Sequence, residues 1–513
     1  MEFDFIFQGG TLINGRKHCE PFVADVGIKA DKITAIGDLS KATARKTIKL
    51  RKQILSPGFI DVHVHSEMSI LNGRDQLAGV SQGVTTQFLA PDGFGWACLD
   101  RQKSKEMWHY TQFCYGETNA SLDWKTAQDY LDIFPGKTPL NVCPQVPHCA
   151  IRLAAMGWEG RVAKNQEIKN MKQHTIEWME AGAVGICLGL DYQPSANADL
   201  NELVELCKVV SDYGGIYAAH IRYAILGRKK AWEETLELSR RSGIPVHISH
   251  ERVDEVSIDV LSQAERDGID ITFESYLYPA GMTHFTMQLP MEIQVGSPQE
   301  VLAKLSHKSI RAKSISHLQK NGMTGHEVIG YTKSGRYIGM TLATAANDAR
   351  KTIEEFAYDL IIEEDGVETL IFPWPTSHLE NEDILNQTVA HPKMMVASDG
   401  IYEVPHPHPR SYGCFAQVLR KFVRERKIIS LEEAIWKMSG FPAERFGLTD
   451  RGQIAEGFGA DLVVLNPETV ADRATWGDPI QSAVGIDYVM VNGELVISEA
   501  KATGKLPGRL LRR

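Results

Sequence analysis

Short apolar segments recur along the middle of the chain and alternate with longer segments whose apolar residues are spaced three or four apart. Short apolar runs bounded by Gly, Pro or polar residues predict buried strands, whereas the three-to-four spacing predicts amphipathic helices. Such helices are predicted at 168–181, 201–213, 229–242 and 258–267. Eight strands are predicted, at 53–64, 84–90, 141–147, 183–190, 215–219, 244–249, 269–278 and 393–398.

Strands that alternate with helices favour parallel βαβ units, and eight such units favour a closed (β/α)8 TIM barrel of the α/β class. The stretch 285–385 is too long for a single crossover between the seventh and eighth strands. It contains helical patterns of its own, at 298–305 and 344–363. We therefore expect a subdomain inserted between strands seven and eight.

Both ends of the chain carry a different pattern, in which short β-prone segments are separated by turns that contain glycine. Residues 4–8 and 460–465 are examples. We expect the two ends to meet in one small β-sandwich, formed by residues 1–57 together with 447–513. The barrel, with its insertion, is then expected to span 58–446.

The composition narrows the classes of partner and compartment. The 513 residues carry a formal net charge of −10, which argues against nucleic acid as a partner. The eight cysteines contain no Cys-X-X-Cys pair, as expected in a reducing cytosol. The first residues lack the features of a signal peptide, and no apolar stretch reaches the roughly 18 residues of a membrane span. We expect a cytoplasmic protein that binds neither nucleic acid nor membrane.

Two histidines stand one residue apart at the end of the first predicted strand. Side chains at positions i and i+2 of a strand point to the same face, so His63 and His65 can aim at one point. Active sites of (β/α)8 barrels lie where the strands end, and other predicted strands also end in polar residues. These are Asp92 after the second strand, His220 after the fifth, His250 after the sixth and Asp399 after the eighth.

Four imidazoles and two carboxylates are ligand types for Zn²⁺ or a similar divalent ion. The sequence therefore predicts a metal centre where the strands end. His247 competes with His250 as a ligand, but the two are three residues apart. An odd spacing in a strand sends side chains to opposite faces, so His250, at the end of the strand, is the predicted ligand.

The ordered motifs around these residues resemble the amidohydrolase superfamily and, within it, the N-acyl-D-amino-acid deacylase (D-aminoacylase) family. The similarity runs along nearly the whole chain. The motifs that carry it are Pro57-Gly-Phe-Ile-Asp-Val-His-Val-His65, Gly83-Val-Thr-Thr86, Ala181-Gly-Ala-Val-Gly185, Gly189-Leu-Asp-Tyr-Gln-Pro194, His220-Ile-Arg222, Ser249-His250, Ser398-Asp-Gly400, His408-Pro-Arg-Ser-Tyr-Gly413 and Asp450-Arg-Gly452.

The resemblance implies a barrel combined with a β-sandwich, and hydrolysis of the amide bond of N-acyl-D-amino acids. It implies one or two divalent ions, with Zn²⁺ as the first candidate. The implied ligands are His63 and His65 at one metal position and His220 and His250 at the other. Asp399 is implied to be the catalytic acid and base.

Two motifs depart from the family. The family commonly has Asn-Cys-Gly after the second strand, where this chain has Pro91-Asp92-Gly93. A carboxylate is a harder ligand than a thiolate, so Asp92 is expected to shift the metal preference away from pure Zn²⁺. After His250 the family often has His-Lys, where this chain has Glu251-Arg252.

A D-amino acid presents a carboxylate that needs a cationic partner, and a guanidinium group can bind it through two hydrogen bonds. Tyrosine hydroxyls near the same strand ends are candidate hydrogen-bond donors. The predicted substrate-binding residues are Tyr192, Arg222, Arg252, Tyr278 and Arg410.

Two alternatives stay open. One is hydrolysis of another linear or cyclic amide, as in dihydroorotases and hydantoinases, although those enzymes usually bridge two metals with a carboxylated lysine that the fourth strand, 183–190, does not contain. The other is a non-enzymatic scaffold, against which the retained histidines argue. The acyl group, the side chain and stereochemistry of the substrate, the number of metals and the oligomeric state are not specified by the sequence.

Overall fold

The computed structural model describes residues 2–374 and 377–513, and eight parallel strands form the centre of the protein. Each strand pairs with the next along the chain, and the eighth pairs with the first through Gly400 against Val64 and Ile401 against His65. The prediction of an α/β barrel is confirmed. In order, the strands are Phe59–Asp61 with Val64–His65, Val84–Phe88, Asn141–Cys143 with Val146–Pro147, Gly185–Gly189, Ile216–His220, Val246–Ile248, Ile271–Ser275, and Met394–Val396 with Gly400–Ile401.

The first predicted strand, 53–64, is wrong in one respect, because it contains strands of two different sheets. Ile54–Pro57 pairs with Leu462–Leu465 outside the barrel, whereas Phe59–Asp61 pairs with the second barrel strand. Gly58 separates them, and a Cβ atom at Gly58 would lie 2.0 Å from Thr85 Oγ1. Glycine therefore allows the chain to pass from one sheet into the other at this crowded point.

Amphipathic helices cover the outside of the barrel. In Leu200–Asp212, Asp199 accepts a hydrogen bond from the Glu202 N–H at the N-terminus, and apolar residues three or four apart are buried. Within the described part of the chain, no helix is both long and apolar enough to cross a bilayer. The helices that follow barrel strands one to six are Glu67–Leu71, Leu77–Val80, Arg101–Tyr115, Ala127–Leu131, His148–Met156, Asn165–Glu180, Leu200–Asp212, Tyr223–Leu226, Arg228–Ser242 and Glu255–Arg266, and those after the eighth are Arg410–Gln417, Leu431–Met438 and Gly440–Phe446, with a π-helical turn at Val418–Glu425.

A nine-stranded sheet combines strands from both ends of the chain. The long strand Glu2–Leu12 pairs with three others, antiparallel to Phe22–Lys29 and parallel to Thr43–Lys49 and Ile54–Pro57. Apolar residues of both ends share one core, including Phe7, Leu55, Leu462 and Met490. The remaining strands of this sheet are Lys32–Gly37, Leu462–Leu465, Ile486–Val491, Glu494–Ser498 and Lys501–Ala502.

A three-stranded antiparallel sheet lies between the seventh and eighth barrel strands in the chain, formed by Ala280–Thr283, Val328–Thr332 and Glu368–Pro373. Ile329 and Leu370 of this sheet belong to a hydrophobic core separate from that of the barrel, whereas Met282 and Ile371 belong to the core of the barrel. The predicted helix at 344–363 divides into Leu342–Asp348 and Ile353–Glu363. The other helices of this region are Met291–Gln294, Pro298–Leu305, Lys308–Asn321 and His378–Ala390.

Candidate metal centre

The four histidines and two aspartates predicted from the strand ends come together in the structure. His65 and His220 are the last residues of their strands, and Asp92 follows the second strand in a tight turn. Five of the six side chains line one cavity of about 260 Å³, and His63 lies directly beside Asp92 and Asp399. All of them except half-buried His250 are buried.

The distances within the cluster fit ligands that share an ion. His63 Nε2 is 3.6 Å from Asp92 Oδ1 and 3.6 Å from Asp399 Oδ1. His65 Nε2 is 3.7 Å from Asp92 Oδ2 and 3.4 Å from Asp399 Oδ1. These distances are longer than the roughly 2.7–3.2 Å that is usual for an N–H···O hydrogen bond. Two ligands that each lie about 2.1 Å from a tetrahedral ion are about 3.4 Å apart, which is close to what is observed.

The other two histidines face each other. His220 Nδ1 is 3.0 Å from His250 Nε2, and candidate ligand atoms of His63, Asp92 and His250 all lie within 4.8 Å of one another. The two histidine pairs therefore belong to one cluster, with Asp92 beside both.

Buried atoms at the centre of the cluster lack partners of their own. His63 Nε2 and Asp92 Oδ1 make no hydrogen bond within residues 2–374 and 377–513. A buried polar atom without a partner is unfavourable, and a bound cation would satisfy both. The donor set therefore fits a divalent ion.

The electrostatics of the cluster also favour a cation. Burial opposes a charge on His63, but the carboxylates of Asp399, Asp92 and Glu274 outweigh it and raise the pKa of His63 to about 10. Burial, together with the neighbouring His220, lowers the pKa of His250 to about 4, which keeps that ring neutral and able to ligate. In the metal-free protein, the proton on His63 provides part of the positive charge that these carboxylates attract.

Asp399 lies between the histidines and Arg410. Its Oδ2 is 2.9 Å from Arg410 Nη1, and its backbone N–H donates to the His63 carbonyl at 2.8 Å. Burial opposes ionisation, but Arg410, His63 and His65 hold the pKa of this carboxyl well below its usual range. Asp399 is therefore an ionised group that can accept a proton.

Carboxylates behind the cluster orient its histidines, and these supporting residues were missed in the sequence. Glu274 accepts from His63 Nδ1 at 3.0 Å, and Asp191 accepts from His220 Nε2 at 3.0 Å. His247 contacts Glu274 at 2.5 Å and does not line the cavity. An acid within an apolar strand, as in Thr272-Phe-Glu274, is the signal that could have revealed Glu274.

Two predicted substrate-binding residues line the cavity. Tyr192 packs its ring 5.0 Å from the His220 ring, and its hydroxyl lies 3.1 Å from Thr283 Oγ1. Arg410 stacks over the Tyr276 ring at 4.3 Å. Its Nε and Nη2 are buried and have no hydrogen-bond partner among the described residues, so these donors are available to a ligand.

The other three predicted substrate-binding residues do not line the cavity. Arg222 donates to Glu234 and to the carbonyls of Ala196 and Ala198, so its guanidinium group holds a loop instead. Arg252 lies over the Trp374 ring at 4.5 Å, near Asp254.

Tyr278 packs against His408 and Trp476. Tyr276, two residues earlier, lines the cavity in its place. Both tyrosines follow the last residue of the seventh strand, Ser275, where the chain leaves the regular alternation of faces. Sequence spacing alone therefore does not distinguish them.

Comparisons with known proteins identify the family of this chain. The sequence profile described as "Amidohydrolase family" matches residues 384–497. D-aminoacylase from Alcaligenes xylosoxydans xylosoxydans is 32% identical over 100% of this chain and 98% of its own length.

Two solved structures cover all of this chain and are themselves covered completely. One is a D-aminoacylase studied for the functional role of its binuclear metal centre, with a TM-score of 0.83 and 31% identity. The other is N-acyl-D-glutamate deacylase from Bordetella bronchiseptica, complexed with zinc and a phosphonate inhibitor, with a TM-score of 0.84 and 30% identity. The chain belongs to the amidohydrolase family, within its group of D-aminoacylases and N-acyl-D-amino-acid deacylases.

Proposed function

We propose that this protein hydrolyses the amide bond of N-acyl-D-amino acids to a carboxylate and a free D-amino acid. The observation that carries the proposal is the spacing of 3.4–3.7 Å between the imidazole and carboxylate atoms of the cluster. The choice of substrate rests on the relatives, which are named for N-acyl-D-amino acids.

The cofactor of this reaction is one or two divalent ions, of which Zn²⁺ is the first candidate. When bound, such an ion polarises the amide carbonyl and lowers the pKa of water from about 15.7 to roughly 7. The residues that would hold it are His63, His65, Asp92, His220 and His250.

Asp399 acts as the general acid and base. Its low pKa keeps the carboxylate ionised, so it can accept the proton of the attacking water. The protonated carboxyl then delivers that proton to the leaving amine nitrogen. Arg410, at 2.9 Å, holds Asp399 in the direction of the cavity during both transfers.

Arg410 also binds the carboxylate of the substrate. It is the one arginine or lysine among the described residues that line the cavity, and its two unpaired donors form part of a planar fork that matches a carboxylate. The ring of Tyr276 supports the guanidinium group from one side. Tyr192, whose ring lies 5.0 Å from the His220 ring, is the second substrate contact.

The proposed domain organisation follows the sheets. Residues 1–57 and 447–513 form a small β domain, and 58–446 form the catalytic barrel. The stretch 285–385 is a subdomain of that barrel, because its core is separate and its residues reach the cavity. The strands expected to form two layers of a sandwich belong to one nine-stranded sheet, and apolar residues from both ends of the chain share one core.

A matched set of substrates tests the function. N-acetyl-D-methionine, N-acetyl-L-methionine and dihydrouracil are offered to the purified protein at equal concentrations, with its metal content measured in the same sample. The proposal predicts release of D-methionine, with little turnover of the L-enantiomer or the cyclic amide. Turnover of the L-enantiomer alone, or of dihydrouracil alone, would replace the proposed substrate class.

A further inference from the structure

Glu67 is a completely buried carboxylate that does not line the cavity, although it lies two residues after His65. Its Oε1 accepts the Ala90 N–H at 2.8 Å, and its Oε2 accepts the Tyr115 hydroxyl at 2.7 Å. Tyr130 adds a longer contact to Oε1, at 3.4 Å. Two of these three partners, Tyr115 and Ala90, connect Glu67 to residues of the metal cluster.

The first connection runs through Tyr115 to His65. The Tyr115 oxygen is 3.3 Å from His65 Nδ1 and 2.7 Å from Glu67 Oε2. A tyrosine has one proton to donate. Burial raises the pKa of Glu67 to about 7, but the hydrogen bonds from Tyr115, Ala90 and Tyr130 oppose this rise and favour the carboxylate, which accepts the Tyr115 proton through Oε2. The hydroxyl therefore donates to Glu67 and accepts from His65 Nδ1–H. This places the lone pair of His65 on Nε2, which is the nitrogen that faces Asp92 and Asp399.

The second connection runs through Ala90 to Asp92. The turn after the second strand is left-handed at Ala90, with φ of 62°, and again at Asp92, with φ of 54°. Side chains disfavour this conformation, so the turn needs support from its surroundings. The hydrogen bond from the Ala90 N–H to Glu67 supplies it on one side. On the other side, the turn packs closely against the fourth strand, because a Cβ atom at Gly93 would lie only 2.7 Å from the Cys187 carbonyl oxygen.

We propose that Glu67 is a positioning residue that prepares His65 and Asp92 together for the metal. This inference rests on the metal centre of the proposed function. Glu274 and Asp191 each contact the ring of a ligand directly. Glu67 instead sets the tautomer of one ligand through Tyr115 and the backbone turn of another through Ala90. Supporting groups of this kind typically change metal affinity by about 10–100-fold.

Three variants separate the two connections. In Glu67→Gln, the amide oxygen can still accept from Ala90, but the amide N–H then points to Tyr115 and forces its hydroxyl to donate to His65 Nδ1. His65 then carries its proton on Nε2, where the metal should bind. Tyr115→Phe removes only the connection to His65. Tyr130→Phe is the matched control, because Tyr130 contacts Glu67 and no metal ligand.

The test is a chelator competition that measures Zn²⁺ affinity in metal-stripped protein, with apo-protein melting temperatures to verify folding. We expect Glu67→Gln to weaken Zn²⁺ binding by about 10–100-fold and Tyr115→Phe by about tenfold, with Tyr130→Phe close to the wild type. Nitrogen NMR of the Zn²⁺-loaded wild type should show His65 protonated at Nδ1.

Wild-type affinity in both Glu67→Gln and Tyr115→Phe, or a His65 protonated at Nε2 in the wild type, would overturn this inference while the metal centre itself stands. If Glu67→Gln does not fold, Tyr115→Phe and the NMR measurement decide. A wild type that binds neither Zn²⁺ nor Mn²⁺ would instead overturn the proposed function, and this inference with it.

Discussion

The two walls of the cavity differ in origin and in chemistry. The barrel wall, formed by strand ends and the turns after them, carries His65, His220, His250, Asp92, Asp399 and Arg410. The opposite wall, which we call the insertion wall, comes from the segment between strands seven and eight, and its described lining residues carry no charge. It consists of Gly281, Met282, Thr283, Met287, Gln288 and Phe372.

This division separates reactivity from selectivity. The barrel wall presents charges held by buried partners, which suits a fixed metal centre. The insertion wall presents uncharged side chains, among them the flexible and apolar Met282 and Met287, which adapt to the shape of a ligand. Changes on the barrel wall should therefore alter turnover, and changes on the insertion wall should alter the choice of substrate.

The largest expected effect is at Asp399. Asp399→Asn keeps the size of the side chain but removes the proton acceptor, which typically costs about 10²–10⁴-fold in rate. We expect kcat to fall by this factor while the protein still binds metal, measured by steady-state kinetics and metal analysis of the same sample. Near-normal turnover would remove Asp399 from the mechanism. Gln288→Ala, on the insertion wall, is the control and should leave kcat close to the wild type.

Arg410 should have the next largest effect. Arg410→Lys retains the charge but loses the planar fork, and we expect kcat/KM to fall by roughly 30-fold or more. Arg252→Lys is the matched control, because Arg252 lies outside the cavity and should show little change. Equal losses in the two variants would contradict the assignment of the substrate carboxylate to Arg410.

The pH dependence of metal binding tests the electrostatics of the barrel wall. With a pKa of about 10, His63 is protonated in the metal-free protein at neutral pH and must lose that proton when metal binds. Acid therefore weakens binding, and the apparent association constant for Zn²⁺ should rise about tenfold per unit between about pH 6 and pH 8. If chelator competition gave an association constant for Zn²⁺ that does not change with pH, no ligand would lose a proton when the metal binds.

Asp92 should set which metal the barrel wall prefers. Thiolates favour Zn²⁺, whereas carboxylates also suit harder ions such as Mn²⁺. We expect Asp92→Cys to raise the affinity for Zn²⁺ relative to Mn²⁺ by about tenfold, measured by competition in metal-stripped protein. An unchanged ratio of affinities would mean that residue 92 is not a ligand.

The smallest effect is expected on the insertion wall. Met287 is half-buried on the insertion wall, where its sulfur lies 3.2 Å from the Thr283 hydroxyl. Met287→Ala should lower kcat/KM for N-acetyl-D-leucine by about fivefold and leave N-acetyl-D-alanine nearly unchanged, because only the larger side chain loses apolar contacts. Equal losses for both substrates would assign Met287 to structure instead of selectivity.

The cluster could be predicted from the sequence because a parallel barrel brings the C-terminal ends of all its strands to one rim. His63, Asp92 and Asp399 are far apart in the chain, yet each follows an apolar run, and topology alone makes them neighbours. The orientation of buried side chains could not be predicted in this way. Arg222 and Arg410 are both buried arginines near strand ends, and only their contacts reveal that one holds a loop and the other faces the cavity.

The same limit applies to the fold. The barrel strands could be predicted because their apolar runs are continuous, but the run 53–64 crosses from one sheet into another without a change in hydrophobicity. Crowding at Gly58, which depends on Thr85 from the next strand, marks the transition. Support for the cluster from Glu67 and Glu274 likewise depends on packing between elements distant in the chain.

The most direct test of the metal centre is a titration of chelator-stripped protein with Zn²⁺, in which bound metal and hydrolysis of N-acetyl-D-methionine are measured together. Our account predicts no hydrolysis without metal, and activity that rises with bound Zn²⁺ as the first ion fills the cluster. Full activity in protein shown to be metal-free would contradict it.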